Sequence, residues 1–522
     1  MTSESESESD TTLSKGSSEP RRAGLLERLR RKLHWNAFYL LPRMVPYPDK
    51  ESLRYSNERG AKINAALRLP NGEDASVTMV WAVEMYGPAE IESLYAALRR
   101  FGWASDEQFN GRDVISWIEE QRAYGEVGTF NIGFICRPED RHKYLGVRGT
   151  ATLPDDVDFL NVEIHQISPS LTGLLVAFGL RGGITSIYGR TLERDQPTVW
   201  RPNRLDRRVT ILSPEHQKQA AVDSAREKLR AIATEWVRNH APGFFTSLKR
   251  ASPVPTCELI ITVKDRLFSE DDNEAGKRIP PWEDWRWIVA KGDRFAIWTS
   301  AACEGFAFSR ARRDKTDVGH HIIATFRGSD FPKDEAMRRP SIGTHSWTTY
   351  CLERLSGVLV HTATEFLLQE LSRELKTARQ SLRSFSTRKN KPLRTIDKIE
   401  RYFDRTIGTP GVVDELQKRS SDYSWYRHDF EPFTMRGYSD EALVYGEQVV
   451  WRIHERATRL ASDERSMRDH FGQLSSVLSV REGLRAQARM ERLTIVALIV
   501  AVASLVAALP ALLQWLAQQK FI

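Results

Sequence analysis

The sequence predicts an α+β head with mixed or antiparallel sheets, a long-helix stalk behind it, and a single C-terminal transmembrane helix. Three observations lead to this fold class. Residues 493–517 read LTIVALIVAVASLVAALPALLQWLA and contain no charged residue. Upstream of them, an apolar stripe at heptad spacing extends from Val450 to Leu478. The regions 76–180 and 257–327 instead contain short β-rich runs separated by turns and helical patterns, which is typical of sheets covered by helices.

The apolar segment is long enough to cross a bilayer, because a helix rises about 1.5 Å per residue and a hydrocarbon core is roughly 30 Å thick. We place the transmembrane helix at 491–518. Four arginines precede it, and only Lys520 follows it: Arg481, Arg485, Arg489 and Arg492. Since Lys and Arg concentrate on the cytoplasmic side, we expect a single-pass membrane protein whose large N-terminal part lies in the cytoplasm.

The bulk composition narrows the class further. The 522 residues carry a net charge of +7, with 41% hydrophobic and 28% charged residues, as expected of a folded protein with a sizeable core. The charge is not clustered into a nucleic-acid signature. The four cysteines are widely spaced and form no CxxC pair, so a disulfide framework or a structural zinc site is not predicted.

The N-terminal region divides into two parts. Residues 1–20 are acidic and Ser-rich, and we expect a disordered tail because they offer little apolar surface to bury. Residues 21–44 predict a basic amphipathic helix with Leu26, Leu29, Leu33 and Leu40 at helical spacing. We expect the leucines to pack on the protein's own domain; the alternative is that the helix lies on a membrane surface.

Residues 45–250 predict an α/β domain. Strands are expected at 76–86, 129–136, 158–167 and 171–180, with helices at 88–103 and 214–239. In 158–167, Leu160, Val162 and Ile164 alternate with Asn161, Glu163 and His165, so we expect the polar set to face outward. The run 171–180 is continuously apolar, as in a strand covered on both faces.

Residues 251–335 predict a strand-rich region. The runs CELIITVKD, WRWIVA, RFAIWTS, GFAFSRA and HHIIATFR are separated by turn-forming segments, which indicates an antiparallel meander. This region either extends the first sheet or forms a separate domain.

Residues 336–490 predict the stalk. One long amphipathic helix is expected at 345–382, a shorter helical stretch at about 395–420, and a last helix that starts near Ser439 and continues to Leu516. Glu464 interrupts the otherwise apolar stripe of the last helix. A stripe of this length packs on another helix, either the 345–382 helix of the same chain or the same helix of a second subunit.

Catalytic and cofactor motifs are not found: the chain has no GxxxxGK[ST], GxGxxG, GxSxG or HExxH. No catalytic or cofactor-binding residue is therefore assigned, and the cofactor is unknown. The densest set of potential metal ligands is Asp314, Asp317, His320 and His321 around a predicted turn, which is a weak candidate because a metal site needs three or four converging ligands.

Two further polar pairs stand out. Glu163 and His165 share a strand face and could act as an acid–base pair, although solvated side chains are the simpler interpretation. His361 and Glu365 are one helical turn apart beside an apolar stripe, where capping or pairing is the simpler interpretation.

The layout, a cytoplasmic α/β domain followed by long helices that run into a C-terminal span, resembles that of CorA-type divalent-cation channels. The resemblance implies an oligomeric channel or transporter. Those proteins carry two C-terminal spans joined by a Gly-Met-Asn loop, whereas this chain has one span and no such tripeptide after it. No residue role is therefore carried over.

Our first hypothesis is a membrane-anchored sensor, effector or scaffold that self-associates through its stalk and binds an unidentified protein or small molecule in its head. We expect a non-enzymatic role, since no catalytic motif occurs. The alternatives are the CorA-like oligomeric channel and a membrane-tethered hydrolase of unrecognised class. The span argues against a channel, because its polar residues are limited to Thr494, Ser504 and Gln514 and an aqueous pore needs a polar lining.

Overall fold

The computed structural model shows a mixed α+β protein with one large sheet and a long C-terminal helix. It describes residues 25–41, 44, 47, 49–103, 113–143, 147–202, 209–248, 254–268, 284–290, 292–311, 320–338, 343–386, 401, 408–420, 430–432 and 444–519. The predicted acidic tail at 1–20 lies outside these residues.

The described strands form a ten-stranded sheet and a separate hairpin. The order across the large sheet is β12-β9-β10-β11-β8-β1-β5-β4-β2-β3. The strands are β1 (Ala75–Tyr86), β2 (Gly128–Cys136), β3 (Val147–Thr150), β4 (Val157–Ser168), β5 (Leu171–Leu180), β6 (Val199–Pro202), β7 (Val209–Leu212), β8 (Thr256–Thr262), β9 (Gly292–Ser300), β10 (Cys303–Ala311), β11 (His321–Arg327) and β12 (Phe430–Pro432). Within the sheet, β8 and β11 are parallel, as are β2 and β3, and the other neighbours are antiparallel.

The pairing of β8 with β1 joins the two predicted strand regions. Residues 251–335 therefore extend the first sheet, which was one of the two arrangements expected.

The helices are α1 (Leu25–Leu40), α2 (Lys50–Ala66), α3 (Ile91–Arg100), α4 (Val114–Tyr124), α5 (Ile187–Glu193), α6 (Pro214–His240), α7 (Phe244–Ser247), α8 (Trp285–Ala290), α9 (Lys333–Arg338), α10 (Thr344–Ser386), α11 (Thr409–Arg419) and α12 (Tyr445–Gln519). Helix α6 lies on one face of the sheet, where its Trp236 meets Phe178 of β5. Helix α10 lies on the other face, where its Val360 lies beside Gly173 of β5.

The burial of β4 corrects one prediction. Leu160, Val162 and Ile164 are buried as expected, but Asn161, Glu163 and His165 are buried too. The alternating pattern correctly separates the two faces of the strand. The polar face is nevertheless not solvated, because α10 covers it and Ser356 of α10 donates to Glu163 Oε1 (3.2 Å).

The run WRWIVA, predicted as a strand, is the short helix α8. The Asp284 carboxylate accepts from the Arg286 N–H (2.9 Å) at its start, as a helix-capping side chain does. Trp285, Ile288 and Val289 are buried. These positions follow helical spacing, so packing on neighbouring elements overrides the strand propensity of tryptophan, isoleucine and valine.

The final helix, α12, is continuous from Tyr445 to Gln519 and contains Pro510. Its first part packs on α10 and α11 of the same chain, and Val450, Ile453, Ala457, Leu460, Met467 and Phe471 are buried. Of the two partners expected for this stripe, the structure has the one within the chain. Of the described residues, Ser479–Leu516 contains the candidate membrane span: an 18-residue stretch within it has a mean hydropathy of 2.7 and is not buried in the protein.

We expected the leucines of helix α1 to pack on the protein, but the three whose burial is described do not. Leu29, Leu33 and Leu40 are 55%, 61% and 64% exposed. The helix is instead attached at its C-terminal half, where Phe38 is buried.

Candidate functional site

A cavity of about 680 Å³ opens between the sheet, α10 and α11. This volume suits a small molecule, since ligand pockets usually measure 300–1,000 Å³. Strands β2 and β4 supply its floor, α10 one wall and the C-terminal end of α11 the other. The lining residues are Gly128, Thr129, Glu163, His165, Gln166, Ile167, Glu353, Ser356, Gly357, Val360, His361, Lys418 and Arg419.

Three floor residues form a hydrogen-bonded line, which we call the open trio: Thr129, His165 and Glu163. Thr129 of β2 lies directly opposite His165 of β4 in the antiparallel register. The Thr129 hydroxyl is 3.1 Å from His165 Nδ1, and His165 Nε2 is 3.1 Å from Glu163 Oε2. Thr129 is exposed, whereas Glu163 and His165 are 7% and 9% exposed. The line thus leads from a buried carboxylate to an accessible hydroxyl.

The contacts of Glu163 fix the roles in the open trio. Its Oε1 accepts from Asn161 Nδ2 (3.2 Å) and from the Ser356 hydroxyl (3.2 Å), whose single proton is shared with the Leu352 carbonyl (3.0 Å). The carboxyl group therefore acts as an acceptor. His165 Nε2 must then donate the third bond, which leaves Nδ1 as the acceptor for the Thr129 hydroxyl. Through Glu163, Asn161 and Ser356 therefore help to set which imidazole nitrogen of His165 carries the proton.

Helix α11 is attached to the sheet beside the cavity. The Glu415 carboxylate accepts from the Ser168 hydroxyl (2.7 Å), the Ser170 N–H (2.8 Å) and the Ser170 hydroxyl (2.7 Å). Arg419, at the end of the helix, donates to the Gly125 carbonyl. These bonds place the positive charges of Lys418 and Arg419 along one side of the cavity.

Helix α10 connects the cavity to α12. His361 lines the cavity, and Glu365, one turn further, is completely buried against arginines. Glu365 pairs with Arg310 of β10, with Arg456 of α12 (3.0 Å) and, more distantly, with Arg452 of α12 (3.9 Å). Burial opposes ionisation of Glu365, but the Arg310 guanidinium, with help from the two others, outweighs it and holds the pKa of Glu365 below its usual value.

Helix α11 connects to α12 as well. Ser420, the residue after its last turn, has its hydroxyl 2.9 Å from His454 Nδ1. Both helical walls of the cavity therefore contact the helix that continues into the candidate span.

The opposite face of the sheet holds a second set of the same three residue types, which we call the closed trio: Thr256, His321 and Glu258. The Thr256 hydroxyl is 2.9 Å from His321 Nδ1, and His321 Nε2 is 3.5 Å from Glu258 Oε2. All three are buried. Glu258 also accepts from Arg226 of α6 (2.8 Å) and from the Tyr188 hydroxyl of α5 (2.6 Å).

The pKa values of the closed trio reflect its burial. Desolvation lowers the pKa of His321 to about 4, so the ring is neutral near pH 7. Desolvation also opposes ionisation of Glu258, but the Arg226 guanidinium outweighs it and sets the pKa of Glu258 at about 2. Glu258 is thus a buried anion compensated by a buried cation.

Among the described residues, the candidate metal ligands do not converge on one point. His320 contacts Glu370 of α10 (2.9 Å), and His321 contacts Glu258 on the other face of the sheet. Asp314 and Asp317 lie outside the described residues. Among the described residues no group of three or more histidine, cysteine or carboxylate side chains is arranged for a metal ion. The four-residue metal site stays a prediction.

Sequence reasoning selected Glu163 and His165 and also His361, but it missed Thr129, Ser356 and the basic end of α11. A usable signal was present in the 345–382 helix, where Ser356, His361 and Glu365 interrupt an apolar stripe. Polar residues on a buried helix face require partners, and here the partners of Ser356 and Glu365 are on the sheet and on α12.

Comparison of the chain with protein-family models, with curated proteins and with solved structures finds no match in any of the three.

Proposed function

We propose that the protein is a membrane-anchored sensor or effector whose head binds a small polar ligand in the cavity, and whose helix α12 ties this head to the bilayer. The observation that carries the proposal is that both helical walls of the cavity contact α12. Helix α10 does so through Glu365 and Arg456, and α11 through Ser420 and His454. A ligand that moves either wall would therefore act on the helix that leads to the membrane.

The nature of the lining supports a polar ligand. Of the cavity residues, Lys418, Arg419 and His361 can offer N–H donors, and Glu353 and Gln166 offer acceptors. Convergent polar groups of this kind fix the orientation of a ligand in a concave site.

The orientation in the membrane follows from charge. Arg481, Arg485, Arg489 and Arg492 precede the apolar segment and Lys520 follows it. Under the positive-inside rule we propose that the head lies in the cytoplasm. Access of a membrane-impermeant protease to the head in intact cells would contradict this orientation.

We also propose self-association through α12 beyond the head. The last described buried residue of the helix is Phe471, and four apolar side chains described between it and the span are 61–70% exposed: Val477, Val480, Leu484 and Met490. In a shared bilayer the helix of a second copy has the same orientation, so these side chains can pair in parallel. Sedimentation in detergent should show an oligomer, which Val477→Asp with Leu484→Asp should reduce to a monomer.

The test of the ligand proposal uses the full-length protein in detergent micelles and a library of polar metabolites, with the melting temperature as readout. Gly357→Leu is the blocking variant, because Gly357 lines the cavity from within α10. Replacing a helical glycine costs no helix propensity, since glycine is about 1 kcal/mol less favourable than alanine in a helix.

We expect at least one compound to raise the melting temperature of the wild type but not that of Gly357→Leu. Gly472→Leu, an exposed glycine on α12, is the matched control and should respond like the wild type. Stabilisation that persists in Gly357→Leu would place the ligand elsewhere and contradict the proposal.

The test of the anchor is deletion of 491–522. We expect the shortened protein to leave the membrane fraction. Retention in membranes after carbonate extraction would contradict the anchor.

A further inference from the structure

We propose that the cavity is also a catalytic site, in which the Thr129 hydroxyl, activated by His165, hydrolyses a small carboxylic ester. This inference rests on the proposed function in one respect, namely that the cavity admits a small polar molecule. The inference goes beyond the proposed function because it assigns a reaction and the residues that carry out that reaction.

The open trio satisfies the geometric requirements of an activated nucleophile. Such a site needs a hydroxyl within hydrogen-bond reach of a base, and a third group that orients the base. The Thr129 hydroxyl and His165 Nδ1 are 3.1 Å apart, and His165 Nε2 and Glu163 Oε2 are also 3.1 Å apart. This constellation is recognised by roles and geometry, and it recurs on unrelated folds in different chain orders.

The tautomer of His165 is the productive one. Glu163 accepts a hydrogen bond from the Nε2–H, so Nδ1 holds a free electron pair directed at the Thr129 hydroxyl. Glu163 is held in turn by Asn161 and by Ser356 of α10. Asn161, Glu163 and Ser356 are therefore positioning residues, and the residues that touch the reacting atoms are Thr129 and His165.

Accessibility separates this trio from its buried counterpart. Thr129 is exposed and lines the cavity, whereas Thr256 of the closed trio is 3% exposed behind α6. His165 is the base of a site that a substrate can enter, and His321 is enclosed by protein. The chain thus contains an internal control with the same residue types.

The reaction proceeds in two balanced steps. In the first, the Thr129 oxygen attacks the ester carbonyl carbon while its proton passes to His165 Nδ1, and the imidazolium then gives that proton to the departing alkoxide. An acyl-threonine ester and a free alcohol result. In the second step, water attacks the acyl carbon and gives a proton to Nδ1, and this proton returns to the Thr129 oxygen. The net change is ester plus water to carboxylic acid plus alcohol.

The cavity also offers charge compensation. Each step develops negative charge on the carbonyl oxygen, and fixed positive charge or N–H donors in such a site stabilise it. Arg419 and Lys418 at the end of α11 are the Arg and Lys side chains of the lining, and Lys418 also pairs with Asp414 of the same helix (2.7 Å). We therefore expect Arg419→Met to slow the reaction without removing the nucleophile.

The test is covalent capture with a fluorophosphonate probe, which forms a phosphonyl ester with an activated hydroxyl and releases fluoride. Full-length protein in detergent micelles is treated near pH 8, and the modified residue is identified by peptide mass spectrometry. Turnover of 4-nitrophenyl acetate is measured in parallel. We expect an adduct on Thr129, with none on Thr256.

The variants assign the roles. Thr129→Val should abolish labelling and turnover, and Thr129→Ser should retain both. His165→Gln should slow labelling by about 10²-fold or more, the usual contribution of a general base. Ser356→Ala should shift the pH profile of labelling, because Glu163 loses one of its three donors, and a purely structural serine would leave that profile unchanged.

Two results would overturn the inference. One is the absence of a Thr129 adduct with both the fluorophosphonate and the smaller phenylmethylsulfonyl fluoride, in protein that melts normally and hydrolyses 4-nitrophenyl acetate no faster than Thr129→Val. The other is a labelling rate unchanged in His165→Gln. If a library compound still binds in a Gly357→Leu-sensitive manner under either result, the cavity remains a ligand site and only catalysis is excluded.

Discussion

The open trio and the closed trio contain the same three residue types on opposite faces of one sheet, yet their surroundings differ. In both, a threonine hydroxyl lies near His Nδ1, at 3.1 Å for Thr129 and 2.9 Å for Thr256. In both, a glutamate lies near Nε2, at 3.1 Å for Glu163 and 3.5 Å for Glu258. One trio opens into a cavity, and the other is enclosed by α5 and α6.

The difference lies in the partners of the two glutamates. Glu258 is neutralised by Arg226 and accepts from Tyr188, so its charge is committed to holding α5 and α6 on the sheet. Among the described residues, Glu163 accepts from the uncharged Asn161 and Ser356 and from His165, so no Lys or Arg of this part of the chain neutralises its carboxylate. We infer that the closed trio stabilises the fold, whereas the open trio is available for a ligand.

The largest expected effect separates the two glutamates. Glu258→Gln should lower the free energy of unfolding by about 3–5 kcal/mol, because it leaves the Arg226 guanidinium buried without its anion. Glu163→Gln should cost about 1 kcal/mol or less, since an amide keeps the size of the side chain and its oxygen can still accept. Urea unfolding of both variants in the same detergent measures the two values. Equal losses of unfolding free energy in the two variants would show that the open trio stabilises the fold as much as the closed trio does.

The next effect is a pH dependence specific to the closed trio. His321 has a pKa of about 4 in the folded protein and an ordinary value of 6.5. Between these values the unfolded chain binds more protons, so stability rises with pH across this window and is lost as pH falls from 6.5 to 4. The loss amounts to up to about 3 kcal/mol, at 1.36 kcal/mol per pKa unit.

The buried Glu84 acts in the opposite sense and must be separated from His321. Burial raises its pKa to about 7, from an ordinary value of 4.5, so its contribution to stability is present at low pH and is lost as pH rises through 7. The informative quantity is therefore the difference between the wild type and His321→Gln, measured by thermal melting from pH 7.5 to 4.5. The wild type should lose more stability than the variant. A constant difference would show that His321 does not titrate as its burial implies.

The ion pairs between Glu365 of α10 and the arginines of α12 predict a loss of stability of intermediate size. Glu365→Gln leaves three arginines around an uncharged amide: Arg310, Arg452 and Arg456. We expect destabilisation of about 3 kcal/mol and faster amide hydrogen exchange in residues 445–460. Glu431→Gln, an exposed glutamate of β12, is the control and should leave the exchange of α12 unchanged.

Much of this arrangement was predictable from the sequence, and the parts that were not share a physical cause. Alternation along 158–167 correctly separated Leu160, Val162 and Ile164 from Glu163 and His165, because the two faces of a strand follow from its period of two. It did not reveal that α10 covers the polar face, since that contact joins residues nearly 200 positions apart, such as Glu163 and Ser356.

The closed trio was equally inaccessible to sequence reasoning. His320 and His321 appeared as adjacent metal candidates, yet adjacent residues of a strand point to opposite faces, and each has a glutamate partner on its own face. Thr256 and Glu258 lie on β8, which pairs in parallel with β11. A parallel pairing of distant segments leaves no local signal in the sequence.

The smallest expected effect is the cost of removing each threonine hydroxyl, and it tests the comparison most directly. Thr256→Val keeps the shape of the side chain but leaves His321 Nδ1 without its partner at 2.9 Å and Arg230 Nε without its acceptor at 3.3 Å. Buried groups left in this way cost about 1–3 kcal/mol. Thr129→Val should cost under about 0.5 kcal/mol, the usual limit for exposed positions, because water in the cavity can bond to His165 Nδ1 in place of the hydroxyl. Thr210→Val, an exposed threonine on β7, serves as the control for the intrinsic effect of the substitution. The urea midpoints of the three variants measure these costs. If Thr129→Val lowers stability as much as Thr256→Val does, the Thr129 hydroxyl stabilises the fold in the same way as that of Thr256, and the open trio is not a functional site.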